Sequence, residues 1–362
     1  MLSPHLPSPS CNIDRHKRWQ RLKLIFLVSF LGLWAGGAGA LMVLGWLWPA
    51  TGSGDTWAIS YSKVRATRSE LEENVRDDLK TKIVTIYGKG IRFENEVGFF
   101  SSKDRIGEAI VLSTDGWLSL YAPAVKIDSV REWKIVTVDG KIENVEKALK
   151  DPFAPIIYVK AAPTTSTVWR PVEFADTKID DEVFILAKDS FSGYLSWKSV
   201  FIDRAFYIIP SSDGHSDALL TQRFETSHLL SPGRVVVTKQ GEVVGVAEGN
   251  SILLPSVLVS KQLASLLTTQ SLTYNSLGVE GWFSEEQSIT LRNRTVPGFL
   301  VTKIVNKNAP FQKGDVIMEI NGQIVNPEKM WYTIQSSKEV RLKIMRNEKK
   351  IELRVPVVPA NS

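Results

Sequence analysis

The chain is poor in the residues that most often carry chemistry: its 362 residues include one cysteine, Cys11, and four histidines. A single thiol forms no intramolecular disulfide and, with no second cysteine and no paired-histidine spacing, offers no structural zinc set. There is no G-x-x-x-x-G-K-[ST] loop and no dinucleotide fingerprint, and Gly88-Lys89-Gly90 lacks the strand-to-helix setting of a phosphate cradle. No cofactor and no metal is therefore expected.

Basic side chains are absent from residues 24 to 62, whereas Arg15, Lys17, Arg18, Arg21 and Lys23 stand just before them. Leu24 to Trp48 carries no charge at all, and about 20 apolar residues suffice to cross a bilayer as a helix. Positive residues stay inside, so residues 1–23 are expected to be cytoplasmic and everything after the span exported. Residues 1–23 hold five basic side chains and one acid, a net +4 of the chain's formal +5. The high isoelectric point thus reports topology and gives no indication of nucleic-acid binding. Ala38-Gly39-Ala40 resembles a signal-peptidase site, but the apolar run continues to Trp48, beyond the ~7 to 15 residues of a signal core. An uncleaved anchor in the cytoplasmic membrane follows. Gly32, Gly36 and Ala40 share a face that could let two anchors approach, although glycine is common in membrane helices in any case.

The exported part has no cysteine, so packed cores must hold it together, and its length suits about two domains. Residues 49–74 read as a linker and a helix, with Ser69 and Glu72 at capping-box spacing and Leu71, Val75 and Leu79 on one face. From Lys82 the period changes to that of strands: 82–87, 108–113, 117–122, 133–138, 156–161, 182–187, 234–238 and 242–247, with Asp115-Gly116 and Asp139-Gly140 as turns. Many short strands without alternating helices predict an antiparallel barrel or sandwich. A helix is expected over 255–267. Strands at 298–305, 315–322, 340–346 and 350–357 with a helix near 327–335 then predict a compact α+β unit.

In that last unit, Lys313-Gly314-Asp315-Val316-Ile317 followed by Glu319-Ile320-Asn321-Gly322, together with Leu277-Gly278-Val279, resembles a PDZ domain of the kind attached to bacterial proteases. The resemblance implies binding of extended or C-terminal peptides by strand addition, with the loop N–H groups holding the terminal carboxylate. Leu277, Gly278, Val279, Met330 and Ile334 would form that site; the plainer reading of the four apolar ones is core. The stretch Asn308 to Lys313 is shorter than the family's segment, which puts the local helix in question.

The preceding region, 75–270, resembles the trypsin-like domain of HtrA-type serine proteases through Ser113-Thr114-Asp115-Gly116-Trp117-Leu118, Val136-Thr137-Val138-Asp139-Gly140-Lys141 and Gly241-Glu242-Val243-Val244-Gly245-Val246. The fold class expected is mainly β: one N-terminal transmembrane helix, a trypsin-like double β-barrel over 75–270, then an α+β PDZ domain over 271–358. The resemblance also implies self-association, as trimers.

A serine protease needs a hydroxyl nucleophile, an imidazole base, a carboxylate to orient it and N–H donors for the oxyanion. Matched to the family's motifs, the histidine position falls on Pro123, the aspartate on Pro155 and the serine on Pro232. Proline supplies none of these functions, and at 232 it also removes a backbone N–H. The family's glycine two residues earlier is Leu230. His228, three residues from Ser231, is the one candidate for a relocated pair, against the plain reading of a solvated loop histidine. His215 with Asp213 and Asp217 could suggest a metal loop, but one histidine and two acids in a polar stretch read as surface. Trp117, Trp133, Trp169 and Trp197 read as barrel packing.

The expected function is a catalytically inactive, membrane-anchored scaffold or sensor that binds peptides of envelope proteins. The rivals are an active endopeptidase using Ser231 and a structural oligomer that binds no peptide.

Overall fold

The computed structural model describes residues 71–94, 97–163, 167–188, 195–208, 214–291 and 293–360. The expected cytoplasmic tail and span, Ser69 and Asp213 lie outside them. No helix among the described residues is long and apolar enough to cross a membrane.

The first helix, α1 (Glu73–Lys82), starts at an extended Glu72 that makes no side-chain cap. The predicted capping box is therefore not what begins it. Its apolar face is as expected: Leu71 and Leu79 are buried and Val75 packs beside them.

Six strands follow and close into a barrel: β1 (Ile83–Tyr87), β2 (Arg105–Val111), β3 (Trp117–Tyr121), β4 (Lys134–Val136), β5 (Ile142–Lys150) and β6 (Ile156–Ala161), in the order β1-β2-β3-β6-β5-β4. A second barrel holds β7 (Glu182–Lys188), β8 (Leu195–Tyr207), β9 (Gln222–Thr226), β10 (Val235–Val237), β11 (Val243–Gly249) and β12 (Ile252–Pro255), in the order β8-β9-β12-β11-β10-β7. Closure leaves neither barrel an unpaired edge. Asp115-Gly116 and Asp139-Gly140 turn the chain as predicted, with φ of +91° and +79° at the two glycines.

Alternation of side chains explains why whole strands are apolar. On β1, Val84 and Ile86 fill the first barrel, while Ile83 belongs to a core shared by both barrels. On β7, Val183 and Ile185 fill the second barrel, while Phe184 and Leu186 face that shared core. With both faces covered, the period-2 polarity signal disappears. Trp117, Trp133 and Trp169 are buried and Trp197 packs on the shared core, so these four do serve packing.

Of the barrel strands, the sequence reading missed β5, β8, β9 and β12. Charged or polar positions are the cause in β5, β8 and β9: in IENVEKALK only Glu143 and Val145 are buried. The helix expected over 255–267 is corrected to the end of β12 followed by α2 (Val257–Ser260) and α3 (Leu263–Thr269). Leu253 and Leu254 are drawn into the barrel ladder, where Leu253 pairs with Phe224 and Ala247.

The C-terminal unit is built on β13 (Val279–Phe283), β14 (Phe299–Ile304), β15 (Val316–Ile320), β16 (Glu339–Arg346) and β17 (Lys349–Pro356), covered by helix α4 (Pro327–Ser336). Asn326 caps α4, its side chain accepting the Lys329 N–H, and Pro327 occupies the first turn, where a missing N–H costs nothing. Met330 and Ile334, one turn apart, join the core of this unit; Trp331, rotated from them, joins the core between the barrels. No helix forms between Asn308 and Lys313. Just after it, buried Asp315 holds the end of β16 through Arg346, at 2.8 Å to Nε and 2.7 Å to Nη2. This bidentate bond raises the arginine's pKa.

One strand of this sheet comes from elsewhere in the chain. Residues His215–Ser216, between β8 and β9 of the second barrel, pair antiparallel with β13, His215 opposite Gly281 and Ser216 opposite Glu280. With the short strand Gln323–Ile324 paired to β15, the sheet has seven strands.

Candidate functional site

The loops carrying Pro123, Pro155 and Pro232 meet where the barrels face each other. Just before Pro123, the Ala122 N–H donates to Pro155 O at 3.0 Å. Tyr121 reaches the second barrel, its hydroxyl donating to Glu248 O at 3.2 Å. Beyond it, a Cβ on Gly249 would lie 3.1 Å from Pro232 Cγ. A cavity of about 330 Å³ lies here, lined by Arg105, Glu108, Tyr121, Ser231, Pro232 and Arg234 among others.

The charged groups in this cleft are a carboxylate and two guanidiniums, and no imidazole lines it among the described residues. Buried Glu108 accepts from Arg105 at 2.9 Å and from Arg234 at 2.6 Å. The Gly233 N–H, the next donor after proline, is engaged by Ala247 O at 2.8 Å. His228 and Ser231 are both exposed, and no hydrogen bond joins them among the described residues. Asp151, whose Asp151-Pro152 pair marked the acid's region, is structural. It accepts from the N–H groups of Phe153 and Ala154 at 2.8 and 2.9 Å and from the Tyr274 hydroxyl. Burial raises its pKa despite these donors, and pushes that of Tyr274 upward as well.

The second predicted site is on the C-terminal unit. Leu277, Val279, Met330 and Ile334 are buried in one cluster with Phe283, Phe299 and Leu342. Gly278 adopts φ +79°, and a Cβ there would lie 2.4 Å from Asn306 Cβ, so both conformation and space require glycine.

At this loop the structure corrects the sequence reading of His215 and Asp217 as surface residues. Both are buried. The Asp217 carboxylate accepts from Ser276 Oγ at 2.6 Å and from the Leu277 N–H. Its own N–H donates to Val279 O at 3.2 Å. Ser276 Oγ in turn accepts the Gly278 N–H at 2.7 Å. Burial lifts the Asp217 pKa to about 6, the hydrogen bonds only partly offsetting desolvation.

His215 Nε2 lies 3.0 Å from both carboxylate oxygens of Glu286, and Nδ1 lies 3.1 Å from Ser216 O. Glu286 also accepts from Phe283 N–H at 3.0 Å and Thr221 Oγ1 at 3.2 Å. After Asp217, the Trp331 indole donates to Ala218 O at 2.9 Å. Glu286 escaped the sequence reading entirely. For His215 and Asp217 a signal existed: the run Ala218-Leu219-Leu220 directly behind them marks a return to a core. Among the described residues no group of three or more His, Cys, Asp or Glu side chains is arranged to hold a metal ion.

No protein-family model and no curated protein matches the sequence. Solved structures do match. The HtrA-type protease AlgW with decapeptide superposes with a TM-score of 0.56 at 13% identity, covering 80% of this chain and 98% of that one. AlgW with tripeptide gives 0.55 at 15% identity, over 80% and 97% of the two chains. The serine endoprotease from Yersinia pestis gives 0.50 at 14% identity, over 81% and 100%. Over four fifths of its length the chain shares its fold with HtrA-type proteases, and its two six-stranded barrels form the trypsin-like part.

Proposed function

We propose that this chain is an HtrA-like pseudoprotease, anchored in the cytoplasmic membrane by residues 24–48, that serves as an envelope scaffold or sensor and binds peptides through a C-terminal PDZ domain. The observation that carries the loss of catalysis is the set of loops at the barrel junction. The positions matched to the family's histidine, aspartate and serine are Pro123, Pro155 and Pro232, and their loops approach one another, which supports this reading. A general base contributes about 10²- to 10⁴-fold and one oxyanion donor about 10²- to 10³-fold, so loss of several parts leaves no useful rate.

Peptide binding is supported by the loop of positive-φ Gly278, in which the Leu277 N–H donates to a carboxylate, and by β13 pairing with an added strand. Two of the similar solved structures are of AlgW with peptides.

The test is treatment of the full chain in detergent with a fluorophosphonate probe, alongside hydrolysis of an unfolded protein. Neither labelling nor cleavage is expected. Labelling abolished by Ser231→Ala would overturn the reading in favour of an endopeptidase with a relocated nucleophile.

A further inference from the structure

The strand added to β13 ends in a group that mimics a peptide terminus. Reading from Gly214, the segment runs antiparallel to β13 with His215 opposite Gly281 and Ser216 opposite Glu280, and the Asp217 N–H continues the ladder to Val279 O. At the end of that ladder a bound peptide would place its terminal carboxylate. Here the side-chain carboxylate of Asp217 takes the Leu277 N–H and the Ser276 hydroxyl.

Two residues earlier, the imidazole of His215 sits on Glu286, with side chains only 4% and 0% exposed. Nε2 lies against the Glu286 carboxylate and Nδ1 against Ser216 O. The rings of Phe283 and Phe299 flank it, at 5.8 and 6.1 Å between centroids. A carboxylate as buried as that of Glu286 is costly without a cationic partner. An occupant of this groove therefore has to bring one.

We infer that residues 214–217 are a resident ligand of the C-terminal groove, and that the external peptides able to replace them carry a histidine or another cationic side chain two residues before a free C-terminal carboxylate. The inference rests on the peptide-binding reading above and adds to it both the competitor and the ligand class. The groups facing Asp217 are uncharged, Ser276 and the backbone of Leu277 and Val279, so selection by charge falls to Glu286.

Gly214 offers a way to loosen the segment without touching the groove. Its φ is +94°, and a Cβ would lie 2.5 Å from Gly281 O, on the backbone of β13. Gly214→Ala should thus lift the strand from its partner. The probe is a fluorescein-labelled peptide ending Gly-His-Ser-Ala with a free carboxylate, its only carboxylate at the position of the Asp217 side chain, read by anisotropy on the full chain in detergent. Its amidated form and a His-to-Ala form serve as comparisons.

Binding to Gly214→Ala should be at least tenfold tighter than to the wild type. The amidated and His-to-Ala probes should bind at least tenfold more weakly, and adding Glu286→Gln should erase the preference for histidine. In the wild-type chain, saturating probe should speed hydrogen exchange at residues 215–217, a measurement that does not depend on any variant folding. Equal affinity for wild type and Gly214→Ala, with 215–217 still protected, would overturn the resident-ligand inference while leaving peptide binding intact. Equal binding of the His and Ala probes would overturn the ligand class. If exchange shows the β13 edge opened in Gly214→Ala and none of the probes, nor a pool of random C-terminal peptides, binds, the peptide-binding reading falls and the inference with it.

Discussion

The carboxylate of Asp217 and the backbone N–H of Leu277, 60 residues apart in sequence, share a hydrogen bond in a fully buried site. This contact ties a loop of the second barrel to the first turn of the C-terminal unit. It places an ionisable group where ionisation is unfavourable.

The pH dependence follows from that burial. The folded-state pKa of Asp217 is raised to about 6, above the ~3.9 of an unfolded chain. The group's stabilising contribution is therefore complete below the unfolded value and is lost as pH rises through about 6. Relative to Asp217→Asn, the wild type should gain about 1.4 kcal/mol between pH 7 and pH 5. Urea unfolding of both proteins at each pH measures this difference, in which the acid sensitivity of the rest of the chain cancels.

Gly278→Ala should destabilise the C-terminal unit. Left-handed backbone costs a non-glycine residue roughly 1 to 2 kcal/mol, and displacing Asn306 adds to it. Denaturant midpoints, together with probe binding in the Gly214→Ala background, check whether stability and affinity fall together.

Met330→Ala removes a fully buried side chain from α4. A loss of roughly 2 to 5 kcal/mol is expected. Met330→Leu, which conserves volume, should cost less than about 1.5 kcal/mol. A leucine variant as damaged as the alanine one would show that packing volume is not what matters at this position.

Trp331→Phe keeps most of the apolar bulk on the core between the barrels but loses the indole bond to Ala218 O. About 1 kcal/mol of stability should disappear, and hydrogen exchange should rise at Ala218 and the segment before it. Unchanged protection there would mean that the indole does not help to hold the segment.

Pro232→Ser should supply a hydroxyl without conferring proteolysis. No imidazole replaces Pro123, His228 is exposed, and Gly233 N–H is bound to Ala247 O. Pro123→His with Pro232→Ser should remain below detection in a fluorogenic casein assay. Turnover by the single variant would show that a base is already present in the cleft.

Much of the fold was legible in the sequence because local rules suffice for it. Apolar runs such as Ile156 to Ala161 are strands in any setting that covers both faces, and Asp115-Gly116 and Asp139-Gly140 turn because glycine tolerates positive φ. That Pro123, Pro155 and Pro232 offer no acid, base or nucleophile is also legible without coordinates, because it is a property of the side chain. The tertiary structure alone decided the fate of His215, Asp217 and Glu286. Their sequence neighbourhood is polar, and their burial depends on a sheet edge and a loop some 60 residues further on. β5 and β8 were hidden because charged and polar side chains interrupt their apolar positions, and what makes each a strand is the ladder it forms with its barrel neighbour.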